Sequence, residues 1–470
     1  MVFSSLLFLL LFLPVFLIGY QITPTRYKNS FSLLMSILFY TWGAPKFIFI
    51  ALGSILFDFF IVKEMHKHDE RKRFILLWCS IALNVALLLY FKYANFFIDN
   101  VNSLFFSNNP IHWQEIILPI GISFFTFQKI SYSVDIYQRV EHPLKRINDY
   151  ALYILLFPQL IAGPIVRFRE ISMQLVNRDH YNYNGKLYGL YRFSIGLAKK
   201  VLIANVLGEK ANLIFGLDSV DLSSSIAWLG ILCYTFQIYF DFSGYSDMAI
   251  GLGAMMGFKF PENFNSPYIA QSITEFWRRW HMTLSRWMRD YLYIPLGGNR
   301  VNTALRLYAN LWIVFLISGF WHGAAWNFIL WGAFHGFFIV CDRLFLNKLS
   351  RYFGKVGRLL LTFFIVVLSW VIFRAETLTD ALDYYAALFS FDFTTLHLFV
   401  NDKLIIMLCL AFLLSFLLII KPLELNYEAA IHSDSTQAKV TKGFISLVLI
   451  FICVANLTST GFNPFIYFRF

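Results

Sequence analysis

The apolar positions of this chain fall into long runs that are separated by short polar segments. Runs of about 20 apolar residues recur from end to end, which is the length of helix that crosses about 30 Å of hydrocarbon. No stretch between them is long enough for an ordinary soluble domain. The pattern predicts an all-α, polytopic membrane protein made of a single transmembrane domain over residues 1–470.

Polar segments differ in charge, and this difference predicts the topology. Basic residues concentrate in a few segments, above all Lys63–Arg73 and Lys259–Arg306, as is typical of cytoplasmic loops. The uncharged turn Ser107–Pro110 suits the outer face. Because Met1–Gly19 lacks a basic start and a cleavage pattern, we expect a retained first span. The prediction is about eleven spans with both termini outside, and boundaries good to a few residues.

Three apolar segments do not fit a simple crossing. Tyr150–Ala162 is short and ends at Gly163-Pro164, which predicts a re-entrant segment shielded by protein. Leu307–Val340 has basic segments on both sides, so it must enter and return, with Trp321-His322-Gly323 near the bend. The third segment has apolar residues at helical spacing, which predicts a helix lying at the membrane interface. These residues are Phe276, Trp277, Trp280, Leu284 and Trp287.

Composition agrees with the membrane class. Only 14% of residues are charged, against roughly 25% in soluble domains. The net charge is +11, but it resides in loops, so a basic face for nucleic acid is not expected. The five cysteines lie within or beside apolar runs without metal-ligand or redox spacing, which favours small core residues.

His322 is the strongest candidate for chemistry. An ionisable group deep in an apolar run is costly and usually faces a cavity or the interior of a helix bundle. Burial keeps an imidazole neutral, which is the state that a general base requires. The alternative is a core histidine bonded to a neighbouring carbonyl. His335 lies in the same segment, and we expect it to be structural or supporting.

His281 is the second candidate, in the basic segment Trp277-Arg278-Arg279-Trp280-His281. We expect it to donate a hydrogen bond to a developing oxyanion or a thioester carbonyl. The alternative is an interfacial histidine among arginines. A metal site is not expected, since the histidines lack a carboxylate or thiolate partner at a suitable spacing.

Further residues are candidates for substrate binding. The arginines of the basic segment would attract an anionic, phosphate-bearing donor, although several also mark topology. The turn before Arg300 has two glycines that permit close backbone approach. Asp241 and Asp247 place two carboxylates in an apolar run, either as an ion-translocating pair or as the lining of a polar cavity. The expected substrate-binding residues are Trp277, Arg278, Arg279, Trp280, Arg289, Asn299, Arg300, Trp321, Asp241 and Asp247.

Several segments together carry a family resemblance. The chain resembles the membrane-bound O-acyltransferases, and within them the bacterial alginate O-acetyltransferase-like branch. The resemblance covers nearly the whole chain, in family order, with its core at roughly residues 115–345. The matching segments are LPIGISFFTFQKISYSVDIY (Leu118–Tyr137), FPQLIAGPIV (Phe157–Val166), YFDFSGYSD (Tyr239–Asp247), WRRWHMTLSRWMRDYLYIPLGGNR (Trp277–Arg300), GFWHG (Gly319–Gly323) and FIYFRF (Phe465–Phe470).

The resemblance implies acyl transfer conducted through a membrane. It implies a ring of tilted helices around a thinned centre, with His322 at the family's invariant histidine and His281 at its second catalytic position. The implied donor is acetyl-CoA, used as a substrate and entering from the cytosol near Trp277–Arg300, with no bound cofactor. The implied acceptor is an extracytoplasmic polysaccharide hydroxyl, or an esterase-like partner protein that passes the acetyl group on. The implied location is the bacterial cytoplasmic (inner) membrane, among its lipids.

Three alternatives stay open from the sequence. The first is a D-alanyl transferase of teichoic acid that takes its acyl group from a carrier-protein thioester. The second exports acetyl groups for peptidoglycan O-acetylation. The third belongs to another class: a proton-coupled transporter whose intramembrane Asp241, Asp247 and histidines relay protons.

Overall fold

The computed structural model is helical throughout its described part. It describes residues 2–177, 183–218, 221–393, 399–420 and 433–464. The sequence match at Phe465–Phe470 therefore lies outside the described residues. The helices of the first half are α1 (Leu13–Ile22), α2 (Lys28–Gly43), α3 (Ile48–Met65), α4 (Glu70–Leu88), α5 (Ala94–Phe105), α6 (Ile122–Tyr137), α7 (Ile147–Leu155), α8 (Phe157–Leu160), α9 (Phe168–Val176), α10 (Tyr183–Ala198) and α11 (Asn205–Phe215).

The second half continues in the same way, and no strand occurs in the described ranges. Its helices are α12 (Ser224–Met255), α13 (Ile273–Arg279), α14 (Met282–Met288), α15 (Ala304–His322), α16 (Trp326–Cys341), α17 (Asn347–Leu349), α18 (Gly354–Arg374), α19 (Leu378–Leu388), α20 (Asp402–Phe416) and α21 (Thr436–Ser459). Short π-helical turns extend several of them, as at Leu89–Tyr93 after α4 and Asp342–Leu346 after α16.

Among the described residues, five helical stretches are long and apolar enough to cross a bilayer. They are Glu70–Phe105, Ala304–His322, Trp326–Arg374, Asp402–Ile419 and Thr436–Ser459. The all-α membrane class is confirmed by this result. The count of about eleven spans, the ring shape and the single-domain organisation stay predictions. Several predicted spans correspond to shorter or more polar helices, because polar side chains such as Asp58 in α3 and Asp247 in α12 lie within them.

The contacts of the chain separate into two compact units. Unit 1 comprises Met1–Lys186 and Leu252–Pro261, and unit 2 comprises Leu187–Gly251 and Glu262–Phe470. In unit 1, every residue from 150 to 168 is buried. The segment predicted to be re-entrant is thus two short helices, α7 and α8, enclosed by protein. This enclosure meets the requirement that irregular backbone at membrane depth be shielded from lipid.

Unit 2 contains the helical hairpin formed by α15 and α16. Its two arms approach closely where Gly319 faces Gly332. A Cβ atom added to either glycine would collide with the backbone of the other arm. Glycine at both positions therefore permits the contact. The predicted bend at Trp321-His322-Gly323 is confirmed, since α15 ends at His322 and α16 begins at Trp326.

The predicted interfacial helix around Trp280 is wrong in two respects. The segment forms two seven-residue helices, α13 and α14, that are interrupted at Trp280 and His281. Its apolar residues are not presented to lipid but are buried in unit 2. The five residues and their exposed fractions are Phe276 (0%), Trp277 (7%), Trp280 (4%), Leu284 (1%) and Trp287 (6%). Helical spacing alone does not distinguish a lipid-facing stripe from one that packs against other helices.

Candidate active site

His322 is the last residue of α15, and the chain turns away immediately after it. The following Gly323 is extended (φ −159°) and packs so closely on Phe328 that a Cβ atom there would collide with the ring. Aromatic rings surround the imidazole: the centroids of Trp321, Trp331 and Phe373 lie 4.9, 5.1 and 5.5 Å from its own. His322 retains 8% of its surface exposed. His322 is therefore largely enclosed by aromatic side chains.

His281 interrupts the paired helices α13 and α14 in a left-handed backbone conformation. Its φ is +41°, an uncommon value for a residue other than glycine, and it occupies the N-cap position of α14. Only 1% of its surface is exposed. The ring of Phe242 contacts it edge-on at a centroid distance of 4.7 Å. A strained conformation at a buried histidine is typical of functional positions.

Asn263 determines which nitrogen of His281 carries the proton. The Nδ1 atom of His281 lies 2.9 Å from the Oδ1 atom of Asn263, which also accepts from the Thr283 hydroxyl (2.7 Å) and the Thr283 backbone N–H (3.4 Å). A backbone N–H only donates, so the amide atom that faces it is the oxygen. That oxygen accepts from the imidazole too, and Nδ1 is the protonated nitrogen. The neutral ring then presents a lone pair on Nε2.

Burial lowers the pKa of His281 from its ordinary value of 6.5 to about 3. The segment around it lies outside the membrane-spanning stretches, and desolvation of the charged form is the cause of the shift. The imidazole is therefore neutral at physiological pH, with a hydrogen-bond acceptor at Nε2. The expectation that His281 donates to an oxyanion does not fit this tautomer, since donation from Nε2 requires a proton there.

Trp321 lies between the two candidate histidines. Its ring centroid is 4.9 Å from that of His322 and 6.4 Å from that of His281. The indole is 3% exposed, so all three side chains belong to one buried cluster. The sequence separates His281 from His322 by 41 residues, and the fold of unit 2 brings both into contact with one aromatic ring.

The other aromatic candidates for substrate binding are buried packing residues near this cluster. The Trp277 indole N–H donates to Nδ1 of His335 (3.3 Å), so its polar atom already has a partner. Trp280 packs against Trp370 at 5.0 Å and Phe264 at 5.1 Å between ring centroids. Both help to hold His281 in place.

The basic candidates lie at the periphery of the segment. Arg278 and Arg300 are exposed, Arg279 pairs with Glu275 (2.9 Å), and Arg289 pairs with Asp290 (2.7 Å). Asn299 accepts hydrogen bonds from Tyr293 (2.7 Å) and from Arg343 (3.2 Å). The structure thus does not bring these residues to the imidazoles. Their role in substrate binding stays a prediction.

The two aspartates of α12 form separate ion pairs. Asp241 lies 2.8 Å from the ammonium of Lys200, which also donates to the backbone carbonyl of Pro464. Asp247 contacts both Arg192 (2.7 Å) and Lys199 (2.7 Å). Each carboxylate therefore has a cationic partner. Asp247 lines the cavity described below and Asp241 is not among its lining residues, and the separate cations do not favour a pair of carboxylates that translocates one ion.

A cavity of about 690 Å³ opens in unit 2 beside His281. Arg192, Lys199 and Asp247 line one part of it, and apolar residues of α20 such as Leu410 and Leu414 line another. Its wall also includes Asn263, which is hydrogen-bonded to His281, and Met282, which follows His281 in sequence. The cavity therefore leads from a charged region towards the residues that hold the imidazole.

Sequence reasoning missed Asn263. It lies 18 residues before His281, in an irregular segment without a recognisable motif, and only the folded chain brings the two together. The role of Thr283 was missed for the same reason. His335 was expected to be supporting, and its hydrogen bond to Trp277 agrees with that expectation.

Comparisons with known proteins add independent information. A family model described as MBOAT, membrane-bound O-acyltransferase family, matches residues 125–379. The chain is 42% identical to a probable alginate O-acetylase AlgI of Pseudomonas putida, over 100% of both chains. It is also 42% identical to a peptidoglycan O-acetyltransferase of Helicobacter pylori, over 81% of this chain and 78% of the relative. A teichoic acid D-alanyltransferase of Streptococcus thermophilus is 30% identical, over 50% of this chain and 59% of the relative.

Proposed function

The chain belongs to the membrane-bound O-acyltransferase family, and on that basis we propose that it transfers acetyl groups from acetyl-CoA to an extracytoplasmic acceptor. It is a multi-pass membrane protein and an O-acyltransferase. The acceptor is a polysaccharide hydroxyl, or a partner protein that passes the acetyl group to an exopolysaccharide such as alginate. Full-length similarity to a probable alginate O-acetylase supports the choice of the acetyl group and of this class of acceptor.

The observation that carries the proposal is the placement of two imidazoles around one indole. His322 and His281 are both buried and both contact Trp321, at centroid distances of 4.9 and 6.4 Å. Acyl transfer to a hydroxyl needs a neutral base near the attacking oxygen and a second group that orients the acyl donor. A pair of buried imidazoles supplies both within one small space.

In the proposed reaction, the acceptor hydroxyl attacks the thioester carbonyl while His322 takes the hydroxyl proton. A C–O bond forms, and the tetrahedral intermediate then collapses by breaking the C–S bond. The imidazolium returns its proton to the departing thiolate, so an ester and a free thiol leave and no net proton is released. General-base assistance of this kind contributes about 10²–10⁴-fold.

His281 positions the donor in this scheme. Its neutral ring offers a lone pair on Nε2, because Nδ1 is protonated and bonded to Asn263. Such an acceptor suits an amide N–H, and the pantetheine arm of acetyl-CoA carries two amides. The exposed Arg278 and Arg300 would attract the phosphates of the same donor from the cytosol. The membrane in question is the bacterial cytoplasmic membrane, where cytosolic acetyl-CoA and an outer acceptor are both within reach.

The similarity to a peptidoglycan O-acetyltransferase supports peptidoglycan as a second candidate acceptor. It differs from the first proposal in the acceptor glycan and not in the chemistry. A D-alanyl transfer to teichoic acid has weaker support, because that relative covers about half of the chain. A proton-coupled transporter would carry no acyl chemistry. The ion pairs of Asp241 and Asp247 also leave neither carboxylate without a cation.

The test is acyl transfer by the purified full-length protein in nanodiscs. Radiolabelled acetyl-CoA is supplied with oligomers of alginate or with peptidoglycan fragments, and D-alanyl carrier protein is supplied in parallel. We expect label transfer from acetyl-CoA and none from the carrier protein. His322→Ala should reduce the rate about 10²–10⁴-fold without loss of folded protein.

The matched control is His112→Ala, at an exposed histidine of the loop after α5, which should keep the wild-type rate. Normal transfer by His322→Ala would refute the role of His322. Transfer only from the carrier protein would establish the D-alanyl alternative. Absence of thioester cleavage in every arm, with folded protein, would overturn the enzymatic proposal.

A further inference from the structure

The segment that carries His281 is fastened to the hairpin that carries His322. The first, the His281 segment, comprises residues 272–300, and the second, the His322 hairpin, comprises residues 304–343, which include α15, α16 and the two residues after α16. The short helices of the His281 segment have only seven residues each, and isolated helices of this length are not stable in water. The position of His281 therefore depends on what holds these helices from outside.

Asp342 holds the beginning of the segment. It follows α16 directly, and its Oδ2 atom accepts from the backbone N–H of Thr274 (2.8 Å) and from the Thr274 hydroxyl (2.8 Å). The carboxylate thus lies at the N-terminus of α13, where unpaired amide groups and the helix dipole favour a negative charge. Asp342 is itself buried, with 2% of its surface exposed.

His335 holds the middle of α13. Its Nδ1 atom accepts from the Trp277 indole N–H at 3.3 Å, and the two rings meet edge-on at a centroid distance of 5.0 Å. An indole nitrogen only donates, so Nδ1 is the unprotonated nitrogen of a neutral His335. His335 lies on α16 one turn beyond Trp331, whose ring contacts both His335 (4.9 Å) and His322 (5.1 Å).

The far end of the segment is held to the same hairpin. The side-chain amide of Asn310, on α15, donates to the carbonyls of Leu296 (3.2 Å) and Gly298 (3.3 Å). Arg343 donates to the side-chain oxygen of Asn299 (3.2 Å). The His281 segment is therefore attached near both of its ends to the His322 hairpin, and His281 lies between the two attachments.

We infer that Asp342 and His335 are positioning residues, which set the place of His281 relative to His322 through α13. The inference rests on the proposed acyl transfer. Neither side chain contacts His281, and each acts on it through Thr274 or Trp277. If α13 moves, His281 moves with it, and the donor is bound in a poorer geometry. Misplacement of a reacting group by about 1 Å lowers turnover by up to about 10²-fold.

The experiment is a double-mutant cycle on transfer from acetyl-CoA, measured with the full-length protein in nanodiscs. Asp342→Ala should lower kcat about 10- to 100-fold and change KM for acetyl-CoA by less than about 3-fold, since the loss is one of alignment. Asp342→Asn keeps an oxygen for Thr274 and should recover most of kcat. In a His281→Gln background, Asp342→Ala should cost less than about 3-fold, because the residue through which it acts is already lost.

Controls separate this inference from general instability. Asp383→Ala, at an exposed acid of α19, should keep wild-type kinetics. His335→Phe keeps the ring but loses the acceptor for Trp277, and it should show the same dependence on His281 as Asp342→Ala. Equal losses from Asp342→Ala with and without His281 would overturn the inference, as would an unchanged kcat. His322→Ala in the same assay reports on the proposed function independently, since its loss of transfer does not depend on Asp342.

Discussion

The Oδ1 atom of Asn263 accepts a hydrogen bond from Nδ1 of His281 at 2.9 Å and from the hydroxyl and N–H of Thr283. The other end of the amide donates to Ser246 (3.0 Å), on α12. Every polar group of this amide side chain is therefore used, and its orientation is fixed. Through this contact, an uncharged residue selects one tautomer of a buried imidazole and leaves Nε2 as an acceptor.

Asn263→Asp should convert His281 into a group that titrates in the working pH range. A carboxylate at 2.9 Å from Nδ1 favours the imidazolium and raises the pKa of His281 above its buried value of about 3. The protonated ring has no lone pair on Nε2, so transfer should fall as the pH drops through the new pKa. The measurement is the pH dependence of kcat/KM for acetyl-CoA between pH 5 and about pH 9.

The matched variant for this prediction is Asn265→Asp, at an exposed asparagine two residues away. It adds the same charge without contact to the imidazole, and its pH profile should follow the wild type. An unchanged acid limb in Asn263→Asp, with normal activity at pH 5, would contradict the assignment of Nε2 as a working acceptor.

His281 should also contribute to acid destabilisation. Its pKa is about 3 in the folded protein and 6.5 ordinarily, so above pH 6.5 neither state is protonated and the group causes no destabilisation. Between pH 6.5 and about 3, only the unfolded chain takes up the proton. The free energy of unfolding therefore falls by up to about 1.4 kcal/mol per pH unit from this group.

His281→Gln removes this proton uptake. The free energy of unfolding of the variant should therefore depend less steeply on pH over the same range than that of the wild type. Thermal or denaturant unfolding of the detergent-solubilised protein, followed by tryptophan fluorescence at several pH values, measures the difference. Parallel slopes for the two proteins would show that His281 is not buried in the neutral form.

Part of this architecture was predictable from sequence because few physical solutions satisfy the constraints. Leu307–Val340 has basic segments on both sides, so it had to return, and α15 indeed ends at His322. Enclosure of Tyr150–Ala162 followed in the same way from its length and from the cost of unpaired backbone in hydrocarbon. Membrane class was predictable as well, whereas the catalytic roles of His281 and His322 stay predictions.

Contacts between distant residues account for what the sequence did not predict. Phe276 to Trp287 has helical spacing throughout, yet the helix breaks at His281, whose left-handed conformation is supported by packing against Phe242 and by Asn263. Neither partner is identifiable from local pattern. Asp342 also caps α13, through Thr274. The two residues are 68 positions apart in sequence, so this cap is a tertiary contact that the local sequence of α13 does not reveal.

The crossing of α15 and α16 should not tolerate a side chain at Gly332. A Cβ atom there would lie 3.1 Å from Cα and 3.2 Å from N of Gly319, and closer still to the carbonyl of Phe315. Gly332→Ala should therefore separate the arms, lower the free energy of unfolding by about 1–3 kcal/mol and displace His322. Gly53→Ala is the control, since a Cβ atom in that helix meets no neighbour within 4 Å.

Unit 1 contains a buried polar network centred on Asp58 that the proposed chemistry does not use. Its carboxylate accepts from Ser80, Asn84 and Tyr150, which come from α4 and α7. Lys129 of α6 supplies the opposing charge and donates to Ser54. Both Asp58 and Lys129 are fully buried. The network therefore joins α3, α4, α6 and α7 through one carboxylate.

Asp58→Ala should destabilise unit 1 strongly, because three donors lose their acceptor and a buried ammonium loses its counter-charge. Leaving a buried charge without its opposite charge costs about 3–5 kcal/mol, whereas removal of both charges costs much less. Asp58→Asn with Lys129→Met should therefore be more stable than either Asp58→Ala or Asp58→Asn alone. The measurement is the unfolding midpoint of each purified variant in one detergent. If the double variant were the least stable of the series, the charges of Asp58 and Lys129 would not compensate one another. The carboxylate of Asp58 would then not join the four helices of unit 1 in the way described.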